Sequence, residues 1–221
     1  MEFNEWEPVY RRILSDLNFY SEADEQSARM LRMLTLNSNL VSDDILENLI
    51  GDTVTVFGDS ADLEGDLKTL PPEGTLISAG SATERVLKAG IAPDILVTDL
   101  DGDIKSQIEV SDSGAVTVVL AHGDNTEAVA EHIASFKGPL IITTQSRPAG
   151  ILMNYGGFTD GDRAVCIARH FGAKKILLEG FDFDNPRLKN GDNAERSLRK
   201  LKWAEKIIFE MNRPGTDIIR P

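Results

Sequence analysis

The sequence predicts an α/β fold, a mostly parallel sheet flanked by helices and preceded by a helical N-terminal segment. Three observations predict it. Short apolar runs rich in β-branched residues follow one another from residue 53 onward; helix-period stretches lie between several of them; and each run ends in small or polar residues. Runs of this length and composition suit strands buried on both faces, and their alternation with helices suits a parallel sheet with right-handed crossovers.

The N-terminal helical segment covers residues 1–50. EWEPVYRRILSDLNFY and EADEQSARMLRMLTLNSNL place Val9, Ile13 and Leu17, then Met30, Leu31 and Leu34, at helical spacing. Ser42-Asp43-Asp44 reads as a cap before ILENLI. No catalytic pattern occurs here, so the segment reads as a packing or substrate-covering element. The α/β catalytic domain covers residues 51–221. Its strands are TVTVF (53–57), TLISA (75–79), DILVT (94–98), AVTVVLA (115–121), PLIITT (139–144) and KILLE (175–179). ATERVLKAG, NTEAVAEHIASF and DRAVCIARHFGA read as intervening helices, and 193–211 as a closing C-terminal helix.

Composition narrows the function class. The chain has 221 residues, 41% of them hydrophobic and 27% charged, as expected of a globular protein with a sizeable core. No apolar run approaches the ~20 residues needed to span a bilayer, and MEFNEWEPVYRR lacks an apolar signal core. The single cysteine, Cys166, allows no internal disulfide and reads as a small buried residue on a helix. These features predict a cytoplasmic protein without a membrane association. The net charge of −13 argues against a nucleic-acid partner, which calls for a basic surface. Arg11-Arg12 and the region 187–202 mix bases with acids and read as solvated faces.

In an open parallel sheet, ligands bind beyond the carboxyl ends of the strands. The segments there are GDSADL (58–63), GSAT (80–83), DLDGD (99–103), HGDN (122–125), QSR (145–147) and GFDFD (180–184). DLDGD is the sharpest of them. If the chain stays extended, Asp99 and Asp101 point to one side, roughly 6–7 Å apart, and can converge on a hard cation such as Mg²⁺. The glycine falls fourth instead of sixth, which excludes an EF-hand loop. The chain also lacks GxxxxGK[ST], so no Walker-type nucleotide site is expected.

ILVTDLDGD resembles the first motif of haloacid-dehalogenase-like phosphatases, in which Asp99 would be the nucleophile. Asp103 stands where that family has a threonine. PDILVTDLDGD also resembles the PDxxxxDxDS motif of thiamin pyrophosphokinases. A related and closer resemblance is to the archaeal 6-hydroxymethyl-7,8-dihydropterin pyrophosphokinase family, whose VTDLDGD, HGDN, GGFTDGDRA and GFDF signatures occur here in the same order. The resemblance covers about residues 52–185. ISAGSAT, with Gly80, stands where these families tend to have the acidic AADGA.

The resemblance implies Mg²⁺-dependent transfer of diphosphate from ATP to a pterin alcohol, with release of AMP. It implies Asp99 and Asp101 as metal ligands, Asp103 as a nearby ligand, and Asp124 and Asp160 as further groups for the metal or the acceptor hydroxyl. For the substrates it points to His122 as a phosphate donor or acid/base group, and to Arg163 as a phosphate ligand. Gly156, Gly157 and Thr159 would offer backbone N–H groups at a helix start, alongside Asp162 in the same motif. Gly58 and Ser60 would allow close approach, and Asp182 would bond a heterocycle. Simple loop closure remains the other reading of the glycines, an N-cap that of Asn125, a turn cap that of Asp182 and a satisfied loop histidine that of His122. The expected partners are ATP and the pterin alcohol. Pairing of the N-terminal helices in a homo-oligomer is left open beside their closing over the substrate.

Overall fold

The computed structural model describes residues 1–188, 193–212 and 214–221; part of the basic-acidic region 187–202 therefore lies outside the described residues. Among the described residues, one sheet contains seven parallel strands in the order β5-β4-β3-β2-β1-β6-β7. These are β1 (Thr53–Phe57), β2 (Thr75–Ala79), β3 (Ile95–Thr98), β4 (Val116–Ala121), β5 (Leu140–Thr144), β6 (Lys175–Glu179) and β7 (Asp217–Ile219). The α/β expectation holds, and all six strands read from the sequence form within a residue of their expected limits. The seventh was not expected. Its three residues pair only with β6, at the sheet edge.

Period-two alternation divides the sheet between two cores. Val54 and Val56, Ile95 and Val97, Val116 and Val118, and Ile176 and Leu178 point to one face. Helices α3 (Asp44–Leu49), α8 (Asp160–His170) and α9 (Ala194–Phe209) cover it. Leu96, Val119, Ala121 and Ile142 point to the other face, against α2 (Ser21–Leu34), α6 (Ile104–Asp112) and α7 (Thr126–His132). Phe57 meets α4 (Leu63–Thr69) and α5 (Thr83–Lys88) on that same side. Burial on both faces is why the strands read as continuous apolar runs.

Helix α1 (Phe3–Leu17) buries Trp6, Tyr10, Ile13 and Leu17 against Phe158, Cys166 and Ile207 of the α8–α9 layer. Its end is set by Asn18 in the left-handed conformation, after which Phe19 and Tyr20 turn the chain into α2. In α2 the buried stripe differs from the expected apolar one. Asp24, Ser27, Ala28 and Leu31 face inward, whereas Leu34 is exposed. The polar members are buried because they hydrogen-bond across the molecule, as described below. No helix among the described residues is long and apolar enough to cross a membrane.

After β5 the chain turns back over the sheet through α8 and inserts β6 beside β1, on the side away from β2. The strand order therefore reverses at β1/β6. Such a switch point opens a crevice beyond the carboxyl ends of the strands.

Candidate active-site cleft

A cleft of about 620 Å³ occupies that crevice, and the carboxyl ends of all six strands from β1 to β6 line it. Gly58, Asp59 and Ser60 come from β1, and Ser81 follows β2. Asp99 and Asp101 follow β3, His122 and Asp124 follow β4, and Gln145 follows β5. Gly180, Phe181 and Asp182 follow β6, and Thr159 and Asp160 open α8. The α1–α2 turn and one face of α9 complete the walls. Thus nine of the predicted positions come together here: Gly58, Ser60, Asp99, Asp101, His122, Asp124, Thr159, Asp160 and Asp182.

The turn after β3 is not extended. Leu100, buried in the core, has φ +66°, so Asp99 and Asp101 reach the cleft through a left-handed bend. A chain of side-chain bonds holds the bend. Thr98 Oγ1 accepts from Leu100 N (2.8 Å) and donates to Gln107 Oε1 (2.7 Å), while Gln107 Nε2 donates to the Asp101 carbonyl (2.5 Å). Ser81 donates to Asp101 Oδ1 at 2.9 Å. Gly80 has a specific role beside it: a Cβ there would lie 2.5 Å from Asp160 Oδ2. The absent side chain is what lets the Asp160 carboxylate settle against β2. Burial, then the nearby Asp99 and Asp101 carboxylates, hold Asp160 well above the usual carboxylate range.

His122 Nδ1 accepts from Asp124 N at 3.3 Å, which leaves the ring proton on Nε2, facing Asp99 Oδ2 at 3.3 Å. Asn125 sits behind this pair, buried. Its amide donates to the carbonyls of Asp99 (2.8 Å) and Leu120 (2.7 Å), and its Oδ1 accepts from His122 N (2.9 Å) and Ser27 Oγ (3.3 Å). It cross-links β3, β4 and α2 and does not line the cleft.

The remaining predicted residues also stand outside the cleft lining. Asp103 caps α6, accepting from Ser106 N (3.0 Å) and Ser106 Oγ (2.5 Å), and these bonds hold its carboxyl below the usual range. Asp162 closes the capping box of α8 on Thr159 and accepts from Phe158 N. Arg163 is fully buried; its guanidinium donates to the Gly157 carbonyl at 2.8 Å and to that of Gly156 at 3.4 Å. Gly156 and Gly157 take φ +83° and +90°, and a Cβ on Gly157 would lie 2.4 Å from Arg163 Cα. Both glycines fold the loop tightly around Arg163, so the loop-closure reading describes their placement.

The structure adds groups that the sequence did not single out. Asp24, buried on α2 yet reaching the cleft, accepts from Tyr10 Oη (2.5 Å), Gln145 Nε2 (3.0 Å) and Gly123 N (2.7 Å). Trp6 donates to the Gln145 carbonyl at 2.8 Å. This network ties α1 and α2 to the ends of β4 and β5. Nothing in a linear pattern signals it beyond an acid falling on the buried side of an amphipathic helix. Arg187, Arg196 and Lys200, read earlier as solvated, also line the cleft.

Residues 29–187 match the family described as 6-hydroxymethylpterin diphosphokinase MptE-like. Curated relatives named 6-hydroxymethyl-7,8-dihydropterin pyrophosphokinase include that of Pyrococcus furiosus, 40% identical over 97% of this chain and 96% of the relative. Those of Methanothermobacter thermautotrophicus and Methanocaldococcus jannaschii are 38% and 33% identical, over 97% and 94% of this chain and 97% and 95% of theirs. Among solved structures, the MAf glycosyltransferase of Magnetospirillum magneticum AMB-1 aligns with a TM-score of 0.52 at 18% identity, covering 76% of this chain and 31% of that longer one, a likeness of fold. On the four ordered motifs, the cleft they build and these near full-length relatives, the chain belongs to the MptE-like 6-hydroxymethylpterin diphosphokinase family.

Proposed function

We propose that this protein transfers the terminal diphosphate of ATP to the hydroxymethyl group of 6-hydroxymethyl-7,8-dihydropterin and releases AMP. The observation that carries the reading is the grouping of Asp99, Asp101 and Asp160 in the cleft, in a chain whose relatives bear that activity in their names. The acceptor oxygen attacks the β-phosphorus, the bond from that phosphorus to the α-phosphate bridging oxygen breaks with AMP as the leaving group, and the hydroxyl proton passes by way of a cleft carboxylate to solvent. Little covalent work falls to the protein, so its contribution is positioning and charge stabilisation.

The donor set suits Mg²⁺. Asp160 Oδ1 is buried with no hydrogen-bond partner among the described residues, and its carboxylate lies under the repulsion of Asp99 and Asp101. Among the described residues no group of three His, Cys, Asp or Glu side chains is placed to hold an ion, so waters and phosphate oxygens would have to complete its shell. Asp99 and Asp101 would hold the metal, which when bound withdraws charge from the phosphate oxygens. Ser81 fixes Asp101, and the His122 Nε2 proton fixes Asp99. Asp124, exposed at the cleft, and Asp160 would orient the acceptor hydroxyl. Phe181, half-buried in the cleft and packed on Phe183, would stack against a flat heterocycle. The family match favours the pterin over thiamin as acceptor, and over phosphatase chemistry on Asp99.

The test is a product assay by ³¹P NMR with purified protein, ATP, Mg²⁺ and the reduced pterin alcohol. The expected result is AMP and pterin diphosphate in equal amounts, both lost on Asp99→Asn or Asp101→Asn. AMP formed only with thiamin would overturn the acceptor. Phosphate released from simple phosphomonoesters without AMP would overturn the reaction.

A further inference from the structure

The cleft is electrostatically lopsided. Among the described residues its lining carries seven carboxylates, those of Asp24, Asp59, Asp99, Asp101, Asp124, Asp160 and Asp182, against the lysine and arginine side chains of Arg187, Arg196 and Lys200. A nucleoside triphosphate brings several further negative charges. A divalent ion held by Asp99 and Asp101 would offset some of them, and the rest require fixed cations close by. Arg187 is already spent on Asp59, at 2.5 Å.

The neighbouring bases on α9 are committed elsewhere: Arg199 to Asp16 at 2.9 Å, Lys202 to Asp184 at 2.7 Å, and Lys206 to Glu210 at 3.6 Å. Arg196 and Lys200 differ. They lie one turn apart on α9, on the helix face that also brings Ser197, Leu201 and Ala204 to the cleft. Both are held over the Phe19 ring, with the Arg196 Cζ 5.8 Å and the Lys200 Nζ 5.7 Å from its centroid. Phe19 in turn packs on Phe158, 6.5 Å between centroids. Among the described residues neither cation has a carboxylate partner, and the ring steers the two stems without neutralising them.

We infer that Arg196 and Lys200, set over Phe19, form the anchor for the polyphosphate chain of the nucleotide donor. This rests on the diphosphate-transfer reading above and adds a recognition element to it. Arg196 supplies a planar fork to adjoining phosphate oxygens, and Lys200 a point charge one turn further along.

The test uses the full chain with Arg196→Gln, Lys200→Gln and the double substitution. The KM for ATP should rise roughly tenfold with each, while the KM for the pterin stays the same. Arg196→Lys should recover part of the loss. Lys206→Gln, an equal change of charge on the same helix outside the cleft, should leave both constants unchanged. Thermal melts check that the variants fold. Calorimetry with inorganic tripolyphosphate, which needs neither pterin nor turnover, should show binding to the parent that the double variant loses. ATP KM and tripolyphosphate affinity within about twofold of the parent in a folded double variant would overturn the anchor. So would an unchanged KM for ATP with relieved inhibition by the pterin diphosphate, which would assign the pair to the other substrate. If the parent binds tripolyphosphate through the pair but makes no AMP, the anchor stands and the transfer reading falls.

Discussion

Replacing Asn125 by alanine removes four hydrogen bonds from a residue that touches no substrate in the proposed reaction, and their consequences can be separated. Two of its partners, the Asp99 carbonyl and His122 N, belong to residues beside the cleft, from which water can replace the lost bond. The other two, the Leu120 carbonyl and the Ser27 hydroxyl, belong to residues that are 1% and 0% exposed. Two stranded buried groups at about 1–3 kcal/mol each give a destabilisation of roughly 2–6 kcal/mol. For a chain of this length that lowers Tm by roughly 4–24 °C. The same change frees the peptide carrying Asp99, and an ångström of misplacement costs turnover on the order of 100-fold.

Urea unfolding and steady-state AMP release would measure the two effects. Asn125→Asp sharpens the test. The substituted carboxylate would turn an oxygen toward two carbonyl oxygens, and only its protonated form restores a donor. That variant should therefore be less stable at pH 8 than at pH 5 relative to the parent. An Asn125→Ala protein within about 1 kcal/mol of the parent and fully active would refute the cross-link argument.

Two further outcomes follow from other parts of the structure. Both carboxylate oxygens of Glu179, at the end of β6, are buried without a hydrogen-bond partner among the described residues; burial, then Asp66, pushes its pKa up to about 7. Because the folded value is raised, stability falls as pH climbs from the unfolded value near 4.5 to about 7. The loss is on the order of 3 kcal/mol, and Glu179→Gln should flatten it in urea titrations between pH 5 and pH 8; an unchanged slope would sink the assignment. Gly80→Ala places a methyl 2.5 Å from Asp160 Oδ2. It should cut turnover roughly 10- to 100-fold at a stability cost of about 1–3 kcal/mol, and undiminished turnover would show that the position of Asp160 is unimportant.

The sheet was legible because its strands are buried on both faces and so stand out as β-branched runs. Helices α4 and α6 were not, since LEGDLKT and IKSQIEVSD carry few apolar residues and cover the sheet with short stretches. Strand β7 depends on β6 as its partner, information that no local window contains. The site was legible at its centre. Asp99, Asp101 and Asp160 lie where strand ends and a helix start put them, although the left-handed Leu100 replaced the extended geometry expected between the first two. Asp103 and Asp162 kept the acids of the motif but spent them on helix caps, a local use that competes with ligand binding wherever an acid precedes a helix. Arg163 turned inward to carbonyls contributed by its own glycine loop. The cations of α9 were hidden by averaging: Arg196, Arg199, Lys200 and Lys202 run together in its sequence between Glu195 and Glu205, and only winding the helix sorts Arg196 and Lys200 onto one face.

The reversal of strand order at β1/β6 also bears on how the chain assembles during synthesis. Strands β1 to β5 can pair one after another as they leave the ribosome, yet β1 keeps an open flank until residue 175 has been made. Throughout that interval the Thr53–Phe57 backbone is an unprotected edge, open to pairing with another chain. Insertion of β6 seals the flank and, in the same event, brings Gly180 and Phe181 against Gly58. Nascent chains that stop short of β6 therefore lack one wall of the cleft, and binding competence arrives together with protection from aggregation.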